Sequence, residues 1–262
     1  MGRRSLGQRL VTVGGCLVLA LLAATYLLPQ EAAKAPAALR LGAGDDITGV
    51  LLEEITRCAA ADDRQDLLIG SYLFVDCCAG TAQWALQSEE IDLGFYCSQA
   101  ALHMVNGGDA FELYGPVVMN GEVLAVMDGA GSPVRAGLPR KRTFLKPFAQ
   151  TAYPTIETWQ EVNSAYSLYA LEEGEVDGVL LDVSSAHRAG AGVTFLPASK
   201  TPYVSYCLVV RKGLAETAEF AQFLTYYEQA IASLNRPERL IALAGMDSGF
   251  WADSGTEFLH LA

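Results

Sequence analysis

Histidine is scarce in this chain: three occur in 262 residues, His103, His187 and His260. They are too widely separated to supply a paired metal-ligand motif, and no Cys-x-x-Cys occurs to supply the other half of a zinc-finger site. A Gly-x-Ser-x-Gly nucleophile elbow is missing, as is a phosphate-cradling Gly-x-x-x-x-Gly-Lys. Gly42 and Gly44 begin a dinucleotide-like pattern, but the next glycine falls at Gly49, too late to complete it. Catalysis is therefore not expected, no catalytic residue is assigned, and no cofactor is implied. Basic residues are also few, 18 Lys and Arg against 30 Asp and Glu, for a net charge of −12. A surface of that sign argues against nucleic acid and anionic lipid as partners and tolerates neutral or cationic ligands.

The few basic residues are unevenly placed. Arg3, Arg4 and Arg9 precede residue 31 without one acid, so the remainder carries 15 − 30 = −15. Residues 10–28 come next as an almost wholly apolar run, about the 20 residues needed to cross a bilayer as a helix. Basic residues ahead of such a run hold the leading end inside and send the rest of the chain across the membrane. Residues 1–37 are expected to be a signal anchor or signal peptide plus the short tether AAKAPAA, attaching the chain to the membrane. Ala33-Lys34-Ala35 has the small-x-small pattern of a cleavage site but is succeeded by Pro36, so cleavage stays open. The rest is expected outside the cytoplasm, in the periplasm or on the outer face of the cell membrane.

An exported chain makes its cysteines informative. Cys16 lies in the apolar run, leaving Cys58, Cys77, Cys78, Cys97 and Cys207. An odd number means that at least one is not in an internal disulfide. Cys58, on the apolar face of a helical pattern, and Cys207, in a strand pattern, are expected in the core.

Along the chain, LRLGAG (39–44) reads as a strand. Asp45, Asp46 and Thr48 then cap a helix through VLLEEITRCAAA. Residues 65–75 read as a second strand, 81–88 as a helix, 91–96 as a third strand and 98–105 as its helix. Strands alternating with helices predict a parallel sheet covered on both faces. FELYGPVVMNGEVLAVMDG then brings turn chemistry at Gly115-Pro116 and Asn120-Gly121, an exit to a second α/β unit. That unit is read as a strand near RTFLKPFAQ, a helix over TWQEVNSAYSLYALEEG, a strand at 176–182 and a helix starting at Ser184. PYVSYCLVV (202–210) returns the chain to the first unit, which helices at 215–234 and 237–244 complete.

The β–GDD–helix order, IDLGFY, LEEGEVDGVLLD and the late returning strand together resemble type II periplasmic substrate-binding proteins of ABC importers, over most of residues 38–262. The resemblance implies an α/β, two-lobed fold, each lobe a sheet flanked by helices, with a ligand cleft between them. Lobe I would be 38–118 and 201–262, and lobe II 119–200. It also implies permease and ATPase subunits as partners, a small ligand and a monomer.

Ligands in open α/β sheets sit beyond the carboxyl ends of the strands, where helix N-termini present free N–H groups. That rule selects Asp45, Asp46, Thr48, Asp76, Thr81, Tyr96, Ser98, Asp182 and Ser184 as ligand-binding residues, with Tyr114 and Tyr153 as further cleft candidates. It puts Cys77, Cys78 and Cys97 at strand ends too. Thiolates are favoured at helix N-termini and select soft cations over Mg²⁺ or Ca²⁺, so these three are the candidate metal ligands. DCCAGTAQWAL and then DLGFYCSQAA further resemble SaoB-type substrate-binding components of selenium-assisted organometal handling systems. That likeness implies an organomercury-like cargo, with sulfur here where a relative carries selenium. The alternatives are a small organic solute such as an amine, sulfonate or vitamin precursor with structural cysteines (a Cys78–Cys97 disulfide among the options), and a thiol-dependent enzyme or redox relay.

Overall fold

A computed structural model describes residues 39–62, 68–74, 84–86 and 90–261. The expected anchor at 10–28 and the segment holding Asp76, Cys77, Cys78 and Thr81 lie outside the described residues. Among those described, no helix is long and apolar enough to cross a membrane.

The described residues build two sheets. The first contains β1 (Leu39–Gly44), β2 (Leu68–Phe74), β3 (Leu93–Cys97), β4 (Phe111–Met119), β10 (Val204–Arg211) and β11 (Glu257–Phe258), in the order β11-β4-β10-β3-β1-β2. The second contains β5 (Glu122–Met127), β6 (Arg135–Pro139), β7 (Thr158–Val162), β8 (Gly178–Asp182) and β9 (Val193–Pro197), in the order β7-β6-β8-β5-β9. Helices flank both, so the α/β two-lobed architecture expected from the sequence is the one observed.

In the first sheet β1, β2 and β3 run parallel, as the strand–helix alternation predicts. β10 and β4 are antiparallel to their neighbours, so the sheet is mixed rather than parallel throughout. The cause is connectivity: β4 leads out to the second sheet and β10 leads back. The passages are hydrogen-bonded to each other. The Asn120 N–H donates to the Tyr203 carbonyl at 3.1 Å, the Tyr203 N–H donates to Asn120 Oδ1 at 3.1 Å, and the Gly121 N–H donates to Ser205 Oγ at 2.7 Å. Asn120 adopts φ 51°, a left-handed conformation that asparagine tolerates at a tight turn.

Helix α1 (Ile47–Ala61) shows why sequence pattern sufficed here. Asp46 caps it, accepting from the Thr48 N–H, and Ile47, Leu51, Leu52, Ile55, Cys58 and Ala59 form its buried stripe. That stripe packs on α5 (Ala218–Leu234), whose cap is Thr217. Between β3 and β4 lies α2 (Ser98–Asn106); α6 (Pro237–Ala244) begins with proline in its first turn, and α7 (Ser248–Ser254) comes after it.

Two local expectations in the second unit are corrected. The strand expected at RTFLKPFAQ is a turn and helix α3 (Leu145–Ala152), with the strand lying earlier, at β6. Leu145, Ala149 and Ala152 recur at helical spacing and Pro147 sits in the first turn, where its missing N–H costs nothing. The helix expected over TWQEVNSAYSLYALEEG is interrupted. Its first five residues form β7, in parallel register with β6 (Ala136 opposite Trp159), and Asn163 caps a 3₁₀ turn leading into α4 (Ser167–Glu172). Edge pairing with β6 outweighed helix propensity there.

Candidate functional site

The parallel strands of both sheets end facing one cleft. β1 ends at Gly44 and delivers Asp45, Asp46 and the N-terminus of α1. β8 ends at Asp182 and runs into the 3₁₀ helix Val183–Arg188, and β6 ends at Pro139 before the turn carrying Arg142.

Several contacts join the sides, and two of them meet at the start of α1. The Ile47 N–H, at the start of α1, donates to Asp182 Oδ1 at 2.9 Å. Arg142 Nη2 donates to Asp46 Oδ2 at 3.2 Å. Both side chains of the second contact are 6 % exposed, so this pair is shielded from solvent screening in a way that surface pairs are not. Arg142 Nη1 donates to Glu122 Oε1 at 2.8 Å, and its guanidinium lies 5.1 Å from the centre of the Tyr206 ring. Glu122 Oε2 accepts from Tyr203 Oη at 2.9 Å and Ser205 Oγ at 2.7 Å. Tyr206 Oη donates to Asp182 Oδ2 at 2.8 Å, and Ser184 donates to Asp182 Oδ1 from both N and Oγ.

Three carboxylates, Asp46, Glu122 and Asp182, thus surround one guanidinium. Burial, reinforced by the charge of Asp46 and only partly offset by Arg142, pushes Asp182 up to about 7. Glu122 is raised by burial, against the opposing pull of Arg142. Tyr203 and Tyr206 are both driven well above their ordinary value by burial.

A chamber of about 60 Å³ lies in the cleft, its walls including Asp45, Asp46, Arg142, Ser164, Asp182 and Arg188. Beside it opens a groove of about 590 Å³ with Asp45, Asp46, Ser184 and Arg188 in its wall.

The sequence-selected residues fall in different places. Asp45, Asp46, Asp182 and Ser184 line these cavities. Thr48 is fully buried and works on its own helix start: its Oγ donates to Asp46 Oδ1 at 2.6 Å and accepts from the Gly44 N–H at 3.0 Å. Ser98 Oγ donates to the Val204 carbonyl at 2.9 Å. Tyr96 has no solvent exposure and belongs to the core. Tyr114 packs edge-on against Phe220, and Tyr153 Oη donates to the Pro197 carbonyl at 2.6 Å. Cys97 is buried at the cleft end of β3, opposite Tyr206 of β10. Cys58 and Cys207 are buried thiols, and burial pushes the Cys207 thiol up to about 11. Among the described residues, no cluster of three or more His, Cys, Asp or Glu could hold a metal ion. Asp76, Cys77, Cys78 and Thr81 lie outside the described residues.

Glu122, Arg142, Tyr203, Ser205 and Tyr206 escaped the sequence reading. Two signals were available. A lone glutamate opens the otherwise apolar EVLAVM, and Arg142 belongs to a basic run, PRKR, in an acid-rich chain.

The chain is similar to solved structures of one architecture. It resembles the ligand-binding component of an ABC-type import system from Staphylococcus aureus with zinc bound, at 14 % identity, with 84 % of either chain covered and a TM-score of 0.66. It also resembles the alkanesulfonate-binding protein SsuA from Xanthomonas axonopodis pv. citri bound to MOPS, at 15 % identity over 87 % of this chain and 88 % of that one, TM-score 0.60. A periplasmic substrate-binding protein of an ABC transporter from Coxiella burnetii matches at 15 % identity over 84 % of this chain and 100 % of that one, TM-score 0.59. At such identities the likeness establishes the fold: the two-lobed fold of periplasmic substrate-binding proteins of ABC importers. No protein-family model and no curated protein matches the chain.

Proposed function

We propose that this protein is the extracytoplasmic solute-binding component of an ABC importer, a non-enzymatic clamp that closes on a small ligand and delivers it to permease and ATPase subunits. The observation that carries this reading is the pair of contacts spanning the cleft, Ile47 N–H to Asp182 and Arg142 to Asp46. Each joins an element of one sheet to an element of the other, as closure of a hinged clamp requires. The hinge is the paired passage around Asn120 and Tyr203. The lobes are 38–118 with 201–262, and 119–200. The chain acts as a monomer, held at the outer membrane face by residues 10–28.

The cargo we favour is a soft metal or organometal ion of the organomercury type, gripped by the thiolates of Cys77, Cys78 and Cys97. Sheet order supports this. β1 lies between β2 and β3, so the end of β2, shortly before Cys77, and Cys97 at the end of β3 flank the Asp45–Asp46 turn. Two strand spacings put those ends about 10 Å apart. A small organic solute is the second reading, favoured by the polar chamber at Arg142 and Ser164.

Titration of reduced, anaerobic protein with methylmercury decides between them. A tight site of low stoichiometry, lost in the Cys77→Ser, Cys78→Ser double variant, is the expected outcome. Retained affinity in that variant overturns the metal reading, and amine or sulfonate binding indifferent to the double substitution establishes the organic one.

A further inference from the structure

We propose that the ligand site has a second compartment: the groove beside the chamber holds an apolar arm of the solute whose charged head sits in the cleft. The inference rests on the solute-capture reading above and adds the class of molecule captured.

The two cavities differ in size and in chemistry. The chamber, at about 60 Å³, has room for roughly two waters at about 30 Å³ each, so only a compact head group fits. The groove, at about 590 Å³, lies in the roughly 300–1,000 Å³ range of small-molecule sites. Its walls include Val50, Leu52 and Thr56 of α1 and Leu243 and Ala244 of α6, while the 3₁₀ helix of the second lobe adds His187. Asp45, Asp46 and Arg188 line both cavities, where the groove meets the chamber, and Glu53 adds a carboxylate to the groove wall. That continuity identifies the occupant. A groove with an aliphatic strip from α1 and α6, opening onto a charged chamber, matches one molecule with a polar end and an apolar arm.

The location adds a consequence. Because α1 and α6 supply one wall and the 3₁₀ helix of the second lobe the other, an arm lying in the groove touches both lobes. It therefore favours the closed form over the open one. His187 keeps the far wall in place, its Nδ1 lying 2.6 Å from the Ser184 carbonyl.

The test is calorimetry on the reduced full chain with methyl, butyl and hexyl members of three series: alkylammonium, alkanesulfonate and alkylmercury. In the series whose head is accepted, affinity should rise about three- to four-fold per added methylene. Val50→Gln and Leu243→Gln, both at partly exposed positions, should abolish that gain and leave the methyl member unchanged. Affinity flat with chain length, or a gain surviving both substitutions, overturns the second compartment while leaving solute capture intact. Failure of every member of all three series overturns the compartment together with the ammonium, sulfonate and organomercury readings of the cargo.

Discussion

Asp182 draws three elements of the cleft together. Its two oxygens accept from Ile47, twice from Ser184 and from Tyr206. Four donors favour the carboxylate, but burial and the neighbouring Asp46 outweigh them and hold the group near 7. Linkage sets the sign. Between about 4 and 7 the folded protein keeps a proton that the unfolded chain has released, so this contribution to stability is full below about 4 and disappears as pH rises through 7. The slope in that window is at most about 1.4 kcal/mol per pH unit. Asp182→Asn should remove it, and urea denaturation of both proteins at pH 4.5 and 7.5 is the check. Parallel profiles would refute the assignment.

Glu54 behaves in the opposite way. It is inaccessible to solvent and is bound by Arg57 of its own helix and by Arg239 of α6, at 2.7 and 2.5 Å. Burial opposes ionisation, yet the hydrogen bonds from Arg57 and Arg239 prevail and lower it to about 2. Its stabilising effect is therefore present above about 4.5 and lost as pH falls toward 2. Glu54→Gln should cost about 2 kcal/mol at neutral pH, discounted because both arginines can rehydrate, and should flatten the acid limb of the unfolding curve.

At the scale of the element, the start of α1 is where local chemistry and site meet. Gly44 stands where a Cβ would overlap the Asp46 carboxylate, far inside contact distance. The absent side chain leaves room for Asp46 to fold back over Thr48 and still reach Arg142. Gly44→Ala should swing that carboxylate away, costing about 1–3 kcal/mol by overpacking and breaking the Asp46–Arg142 contact. Thermal unfolding gives the first effect, and small-angle scattering of the ligand-free protein gives the second as a shift toward more open forms. This element was legible from sequence because its signals are local: an aspartate cap, an apolar stripe at helical spacing, a glycine before the cap. The second unit was harder to read. TWQEV satisfies a helical pattern by itself, and only the presence of β6 alongside turns it into a strand. The site divides in the same way. Asp46 follows the end of β1 and Asp182 ends β8, so both could be named from the strand-end rule, whereas Thr48 and Tyr96 obey the same rule and are buried in the framework.

On the scale of the whole molecule, Glu122 ties the passage between the sheets to the cleft. It opens β5 just beyond the passage between the sheets, accepts from Tyr203 and Ser205 on the returning passage, and anchors Arg142. Removing the guanidinium would strand a carboxylate with no solvent exposure. Arg142→Ala should therefore cost about 3–5 kcal/mol and weaken closure together with stability. Arg142→Met combined with Glu122→Gln and Asp46→Asn keeps the volume and removes the guanidinium with both carboxylates it pairs. It should recover most of the stability without restoring closure, and melting temperature and scattering measured on the same samples separate the two.

The amino-acid order determined the α/β class, the two-unit plan, the cap of α1, the turn at Asn120-Gly121 and the strands whose ends face the cleft. Each depends on residues within about a helical turn or a strand of one another, where periodicity, capping and turn preference act directly. Only the tertiary structure decided that β4 and β10 turn half of the first sheet antiparallel, that TWQEV is a strand, and that Glu122, Arg142 and Tyr206 join Asp46 and Asp182 in one network. Arg142 lies 20 positions from Glu122 and 96 from Asp46. At those separations no local preference acts, and burial together with the pairing of charge determines which side chains meet.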